Sequence, residues 1–387
     1  MHYKERNLRS KEIWDAYSSG DPLCVPLTIY ADARTWMAEP SENTRGLTLK
    51  EYLRGPEAML HAQVRAREWM ARTILSDDIY VPEEGWPLMV DFQNYAEAAW
   101  FGAEVVFEKE PKVITLLKEH NKQAFLELSP PDMENSLGME ALRYYEYFCK
   151  ARESFVYEGL PIGSIALPFN ITGTDGPFTV CCQLRGAEGF IGDMLEEPDF
   201  AGALLDYVTD ATIARIRRVR EYLGQPVKSP GFGFADDSIV LLSPSMYKEF
   251  ILPRHRRIYT ALGDEGGDRG MHLCGDAQRF FPVLQKELGV KSFDTGFPIN
   301  FSKLYDELSP DTAVYGGPHI GLMLMGTEEE VYREAIRILK SGVMEKSRRF
   351  VLREGNALAP GTPVKNVNAL YRAREDAGYY VKHQSAF

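Results

Sequence analysis

One alternation constrains the fold of this chain more than any other feature. Short β-branched or apolar runs that end in Gly, Pro, Asp or Asn take turns with longer segments of 3.6-residue apolar periodicity. About eight such runs occur, at residues 23–30, 78–82, 162–168, 231–236, 270–274, 291–295, 312–317 and 356–359. Repeated βα units build a parallel sheet, and eight parallel strands close on themselves. The expected fold class is therefore α/β, a (β/α)8 TIM barrel. The 387 residues fit one such barrel. No tandem repeat, low-complexity tract or flexible linker divides them, so a single domain spanning residues 1–387 is expected.

Several helix starts are legible. Thr327 followed by Glu330 reads as a capping box, with Val331, Ala335, Ile338 and Leu339 on one face. Ser243-Pro244 and Thr362-Pro363 each offer a hydroxyl cap followed by a proline at the first helical position. Pro198 opens a helix whose buried side includes Leu205, Val208, Ile216 and Val219. Residues 83–159 are too long for one βα connection. They read as an insertion after the second strand that roofs the C-terminal mouth of the barrel, with a hairpin (88–92 with 104–107) and two helices around Ser129-Pro130-Pro131.

Composition excludes whole classes of function. A net charge of −12 repels phosphate backbones, so no nucleic-acid partner is expected. Five cysteines, an odd and small number for this length, argue against a disulfide scaffold and for a reducing compartment. The N-terminus lacks an apolar signal segment and no run is long enough to span a bilayer, so a cytoplasmic protein with no membrane association is expected.

The sharpest chemical feature is Met271-His272-Leu273-Cys274-Gly275 at a strand end. Residues two apart on a strand project to one side, so His272 and Cys274 are able to offer an imidazole nitrogen and a thiolate to one ion, a pair that suits zinc. The alternative is a core cysteine beside a hydrogen-bonded histidine. Asp294 and His319, at later strand ends, are the candidates to complete the metal site, or else structural hydrogen-bonding residues. The vicinal Cys181-Cys182 pair reads as buried packing. Carboxylates cluster at Asp77-Asp78 and Asp236-Asp237. At a barrel mouth such groups orient a cationic substrate, hold a proton or support a histidine; on the plainer account they cap the helices that follow. Asp77 and Asp237 are the candidate catalytic residues, and Tyr30, Arg34 and Asp236 the candidate substrate-binding residues. Gly231-Phe232-Gly233 has neither phosphate-loop nor dinucleotide spacing.

These residues together resemble a known family. Asp236-Asp237 through Leu242-Ser243-Pro244, Phe250 and Pro253, then His272-x-Cys274-Gly275, Gly316-Gly317-Pro318 and Ala359-Pro360-Gly361-Thr362-Pro363 with Asn366, are similar to the uroporphyrinogen decarboxylase superfamily. Earlier matches, Ser76-Asp77 through Pro82 and Gly176-Pro177-Phe178-Thr179, keep the same order, so the resemblance runs nearly the full length. It implies a (β/α)8 barrel with its site at the C-terminal mouth. It also implies one of two chemistries: cofactor-free decarboxylation of uroporphyrinogen, or zinc-dependent methyl transfer between a corrinoid protein and a thiol or other acceptor.

Residue by residue, the resemblance leans to the methyltransferase branch. The segment Ile29-Tyr30-Ala31-Asp32-Ala33-Arg34 lacks the decarboxylase's Arg-Gln-Ala-Gly-Arg motif, leaving Arg34 alone to meet substrate carboxylates. Asp77 does match the decarboxylase aspartate that hydrogen-bonds pyrrole nitrogens. The tyrosine expected beyond residue 179 is replaced by Val180-Cys181-Cys182-Gln183, and the loop that carries a histidine there reads Asn356-Ala357-Leu358-Ala359. His272 and Cys274 match the first two zinc ligands of the methyltransferases. Their third, a cysteine after Pro-Gly in the last loop, is missing, because Pro360-Gly361 runs straight into Thr362-Pro363. The expected cofactors are thus zinc and a corrinoid methyl carrier. The expected partners are a small-molecule substrate, a corrinoid protein and a second copy in a homodimer. A non-catalytic ligand-binding barrel is the reading from outside enzymology.

Overall fold

The computed structural model describes residues 3–107, 111–133 and 137–380. The fold is α/β. Five parallel strands lie in the order Phe350–Leu352, Ala313–Gly316, Ser292–Thr295, Gly263–Leu273 and Ser229–Ala235. A second sheet pairs Trp86–Met89 in parallel with Leu160–Ala166, which carries Val156–Tyr157 antiparallel on its other edge. Strand pairing among the described residues gives these two sheets, with a small ribbon of Val105–Phe107 against Pro111–Val113, and not one closed ring of eight.

Hydrogen bonds outside the ladders extend the larger sheet. Residues 23–30 run beside Phe350–Leu352, with Leu27 opposite Leu352 and Thr28 N–H donating to Leu352 O at 3.0 Å. Asp77 N–H in turn donates to Leu27 O at 2.7 Å. At the other edge Ala235 N–H reaches Thr174 O at 3.1 Å, linking the larger sheet to the chain that leaves Leu160–Ala166.

The expected run at 78–82 is not a strand. The carboxylates of Asp77 and Asp78 accept the N–H groups of Leu27 and Ile29, each at 2.7 Å, so side chains occupy donors that a backbone ladder would need. The last strand is Phe350–Leu352 rather than 356–359, because Phe350, Val351 and Leu352 are the residues with no exposure. Trp86–Met89 lies inside the segment read as an insertion, and it pairs with Leu160–Ala166 rather than with 104–107 as a hairpin. Burial of Trp86 and Leu88 holds it in the sheet. Helices Lys122–Phe125 and Leu137–Ala151 flank Ser129-Pro130-Pro131 as expected.

Local signals elsewhere match the structure except at Thr362-Pro363, where the expected hydroxyl cap does not form. Thr327 and Glu330 form a reciprocal capping box on Glu328–Ile338. Ser243 caps the helix opened by Pro244, and Pro198–Tyr222 buries Leu205, Val208, Ile216 and Val219. Pro363 is itself the cap of Val364–Ala377, while the Thr362 hydroxyl turns back to Ala359 O. Cys181 and Cys182 are buried, in Pro177–Arg185. No helix among the described residues is long and apolar enough to cross a membrane.

Candidate metal centre

Sheet register assembles the site. Ala235, His272, Asp294 and Tyr315 stand in one row across four neighbouring parallel strands. In-register neighbours share a face, so His272 and Asp294 meet although 22 residues separate them. Nδ1 of His272 lies 2.7 Å from Oδ2 of Asp294. A carboxylate only accepts, so Nδ1 carries a proton toward Asp294 and Nε2 is the nitrogen that faces the rest of the cluster. That nitrogen lies 3.0 Å from Cys274 Sγ and 3.7 Å from Asp237 Oδ1.

Asp237 follows the strand Ser229–Ala235 and accepts the Cys274 N–H at 2.7 Å, which ties the two strand ends together. Gly296 permits this close arrangement. A Cβ there would sit 2.4 Å from Gly275 N and 2.7 Å from Cys274 Cα. One ligand atom each from Asp237, His272 and Cys274 falls within a 4.8 Å cluster. The side chains of His272 and Asp237 remain 26 % and 38 % accessible, so a small molecule reaches them.

Electrostatics polarise the cluster. Burial disfavours the charged imidazole of His272, but the hydrogen bonds of Asp294 and Cys274 outweigh it and hold its pKa well above the ordinary value. Burial likewise works against the Asp294 carboxylate, and His272 and Arg353 overcome it and keep its pKa low. Burial pushes the Cys274 thiol up, and His272 pulls against that rise. Such a thiol is an inert nucleophile until a cation lowers its pKa.

The donor set fits zinc. An imidazole nitrogen, a thiolate sulfur and a carboxylate oxygen are three ligands of the kinds zinc takes, and three protein ligands leave a position for a substrate. A carboxylate behind the histidine is the support that metal-bound histidines ordinarily have. Asp294 is hydrogen-bonded to Nδ1 of His272 and lies outside the cluster, and Asp237 is the carboxylate that stands with His272 and Cys274 in it. His319 is exposed, accepts the Gly321 N–H through Nδ1 at 2.7 Å and packs on Phe297. It caps the helix Ile320–Met325 and is not part of the cluster.

The remaining predicted residues separate. Asp236 has no exposure; it accepts from Phe178 N–H, Thr179 N–H and the Thr179 hydroxyl, and lies 2.8 Å from His255 Nε2, bracing Pro177–Arg185 inside the protein. Asp77 is also buried, paired with Arg374 at 3.0 Å. Burial raises the Asp77 carboxyl's pKa against the pull of Arg374. Arg34 is bound to Asp32 at 2.8 Å. Tyr30 lines a cavity of about 470 Å3 together with Asp78, Asp294, Tyr315 and Arg353.

Sequence reasoning missed Arg353 and Asn356. Arg353 holds Asp294 Oδ1 at 2.6 Å, and Asn356 Nδ2 lies 3.0 Å from Cys274 Sγ. Both follow Phe350–Leu352, the strand that was misplaced, and the apolar run at 350–352 was the signal available to find them.

The fold is α/β, with a mixed nitrogen, sulfur and oxygen cluster at the C-terminal ends of its parallel strands, where such folds place their ligand sites. The model of one family, uroporphyrinogen decarboxylase (URO-D), matches residues 10–377, and the chain belongs to that family. Among curated relatives it is 28 % identical over 200 residues to the methylated-thiol–coenzyme M methyltransferase of Methanosarcina mazei, covering 51 % of this chain and 50 % of the relative. It is 27 % identical over 197 residues to the uroporphyrinogen decarboxylase of Syntrophotalea carbinolica, covering 49 % and 54 %. A third relative, the methylcobamide:CoM methyltransferase MtaA of Methanosarcina barkeri, is 24 % identical over 54 % of this chain and 58 % of its own. The matches span between half and three-fifths of these relatives. A solved methyltransferase from Methanosarcina mazei shares the fold with a TM-score of 0.63, at 18 % identity, over 95 % of this chain and 98 % of that one.

Proposed function

We propose that this protein is a zinc-dependent methyltransferase moving a methyl group between a corrinoid, carried by a partner protein, and a small acceptor. The observation that carries this reading is the cluster of Asp237, His272 and Cys274 with Asp294 behind the histidine. Two of the relatives act in methyl transfer, one of them by name on a methylcobamide. We also read the two sheets as parts of one (β/α)8 barrel in a single domain, with the chain between Trp86–Met89 and Leu160–Ala166 over its mouth.

Asp237, His272 and Cys274 would hold the zinc, which supplies a lowered pKa to a coordinated thiol. Asp294 fixes the tautomer of His272, and Arg353 fixes Asp294. Asn356 hydrogen-bonds the Cys274 sulfur and stabilises its anionic form. In the transfer the acceptor sulfur forms the new bond to carbon. A corrinoid would supply the methyl group and keep the electron pair of the bond that held it, and the thiol proton would leave to solvent.

The test is the protein supplied with zinc, methylcobalamin and a panel of small thiols, followed by loss of the methylcobalamin absorbance. Zinc-dependent demethylation that disappears in Cys274→Ala is expected. Protein that binds no zinc, or zinc-loaded protein that leaves methylcobalamin intact with every thiol, overturns the reading. Decarboxylation of uroporphyrinogen in the same preparation would put the second branch in its place.

A further inference from the structure

The cavity beside the candidate metal centre carries an unusual charge pattern. Its wall nearest the site is Asp294 and Arg353, which pair with each other at 2.6 Å. The same cavity is also lined by Arg67, from the helix Pro56–Thr73, and by Asp78. Arg67 is half-buried, and among the described residues it has neither an ion pair nor a hydrogen-bond acceptor, leaving five N–H donors unspent. Asp78 accepts from the Ile29 N–H, the Thr28 hydroxyl and the Tyr80 hydroxyl, and among the described residues no cation lies within ion-pair distance of it. Tyr30, Tyr80 and Tyr315 add aromatic walls with hydroxyl groups.

A half-buried guanidinium and a carboxylate thus line one cavity with no ion pair to either among the described residues, a pattern that a ligand carrying both charges would complete. We infer that this cavity binds the methyl acceptor and that the acceptor is a small zwitterion, an amino-acid-like thiol, with its carboxylate on Arg67 and its ammonium on Asp78. An anion alone leaves Asp78 unmatched, and a cation alone leaves Arg67 unmatched. A volume of about 470 Å3 accommodates a molecule of that size. The inference rests on the methyl-transfer reading only for the word acceptor; the charge pattern stands without it.

Four thioethers that differ only in end charge test it, titrated calorimetrically into the full chain as purified. They are S-methyl-L-cysteine (both charges), 3-(methylthio)propionate (anion), 2-(methylthio)ethylamine (cation) and 2-(methylthio)ethanol (neither). The zwitterion is expected to bind about tenfold more tightly than either singly charged compound, the ratio one charge-assisted hydrogen bond supplies. Arg67→Met should lower its affinity to that of the amine and leave the amine unchanged. Equal binding of zwitterion and anion, binding of none of the four, or an Arg67→Met protein with wild-type preference would each overturn the assignment. Methyl transfer from methylcobalamin is read separately. Selective zwitterion binding without transfer to L-cysteine would keep the cavity and sink the methyltransferase. Transfer to 2-mercaptoethanol with the same kcat/KM as to L-cysteine would do the reverse.

Discussion

Asp294 and His272 face each other across two adjacent parallel strands, Oδ2 to Nδ1 at 2.7 Å, and this one contact decides which imidazole nitrogen points at Cys274. The carboxylate is fixed from its other side by Arg353, so the histidine's orientation is built from two strands of the sheet and the residue that follows a third.

The first prediction concerns metal. The protein is expected to hold about one zinc, with His272→Ala and Cys274→Ala losing it and Asp237→Asn binding it more weakly. Asp294→Asn keeps the ligands and should weaken affinity by about 10- to 100-fold, the usual cost of losing the carboxylate behind a metal-bound histidine. Elemental analysis and competition with a chromogenic chelator read both. Full zinc content in His272→Ala and Cys274→Ala removes the site.

Asp77 should matter for folding, not turnover. Its carboxylate accepts from Leu27 N–H and is paired with Arg374, both side chains being almost completely buried. Asp77→Asn leaves the Arg374 charge poorly matched and is expected to cost about 3–5 kcal/mol of stability. The kcat of the surviving folded protein should stay at the parental value. A variant with unchanged melting temperature but lost activity would reinstate Asp77 as catalytic.

Glu354 sets a pH dependence. Complete burial pushes its pKa from 4.5 to about 8, against the pull of Arg353, whose charge Asp294 also shares; its Oε2 is buried without a hydrogen-bond partner among the described residues. Between those values the folded protein keeps a proton that the unfolded chain has lost, so stability falls as pH rises from about 4.5 to about 8. The contribution reaches about 1.4 kcal/mol per pH unit. Glu354→Gln should flatten that decline and leave stability below pH 4.5 nearly unchanged, read as denaturant midpoints across the range. A parallel pH profile for the two proteins would show that Glu354 is ionised in the fold.

Uroporphyrinogen should not be a substrate. Arg34, the residue that stood in for the missing arginine motif, is bound to Asp32, and the chain as a whole carries a net charge of −12. Incubation followed by separation of porphyrins should show only starting material. Turnover at about 1 per second or faster, a rate ordinary for enzymes, would reverse the order of the two branches.

The sequence by itself determined the α/β class, the helix starts at Pro198, Ser243 and Thr327, and the His272–Cys274 pair. Each of these is local: a cap, a proline or a two-residue strand repeat acts within a few positions of the chain. Only the tertiary structure decided what completes the pair. Asp294 was the candidate to complete the metal site and Asp237 a candidate catalytic residue, but register between neighbouring strands put Asp294 behind the imidazole and Asp237 beside the thiol. Adjacent aspartates parted for the same reason. Asp236 turned inward to His255 and the start of Pro177–Arg185 while Asp237 turned to the site, and Asp77 was taken by Arg374, 297 residues away, while Asp78 reached the cavity. Which side of a strand end a carboxylate faces depends on partners distant in sequence, and no spacing within the chain encodes those partners.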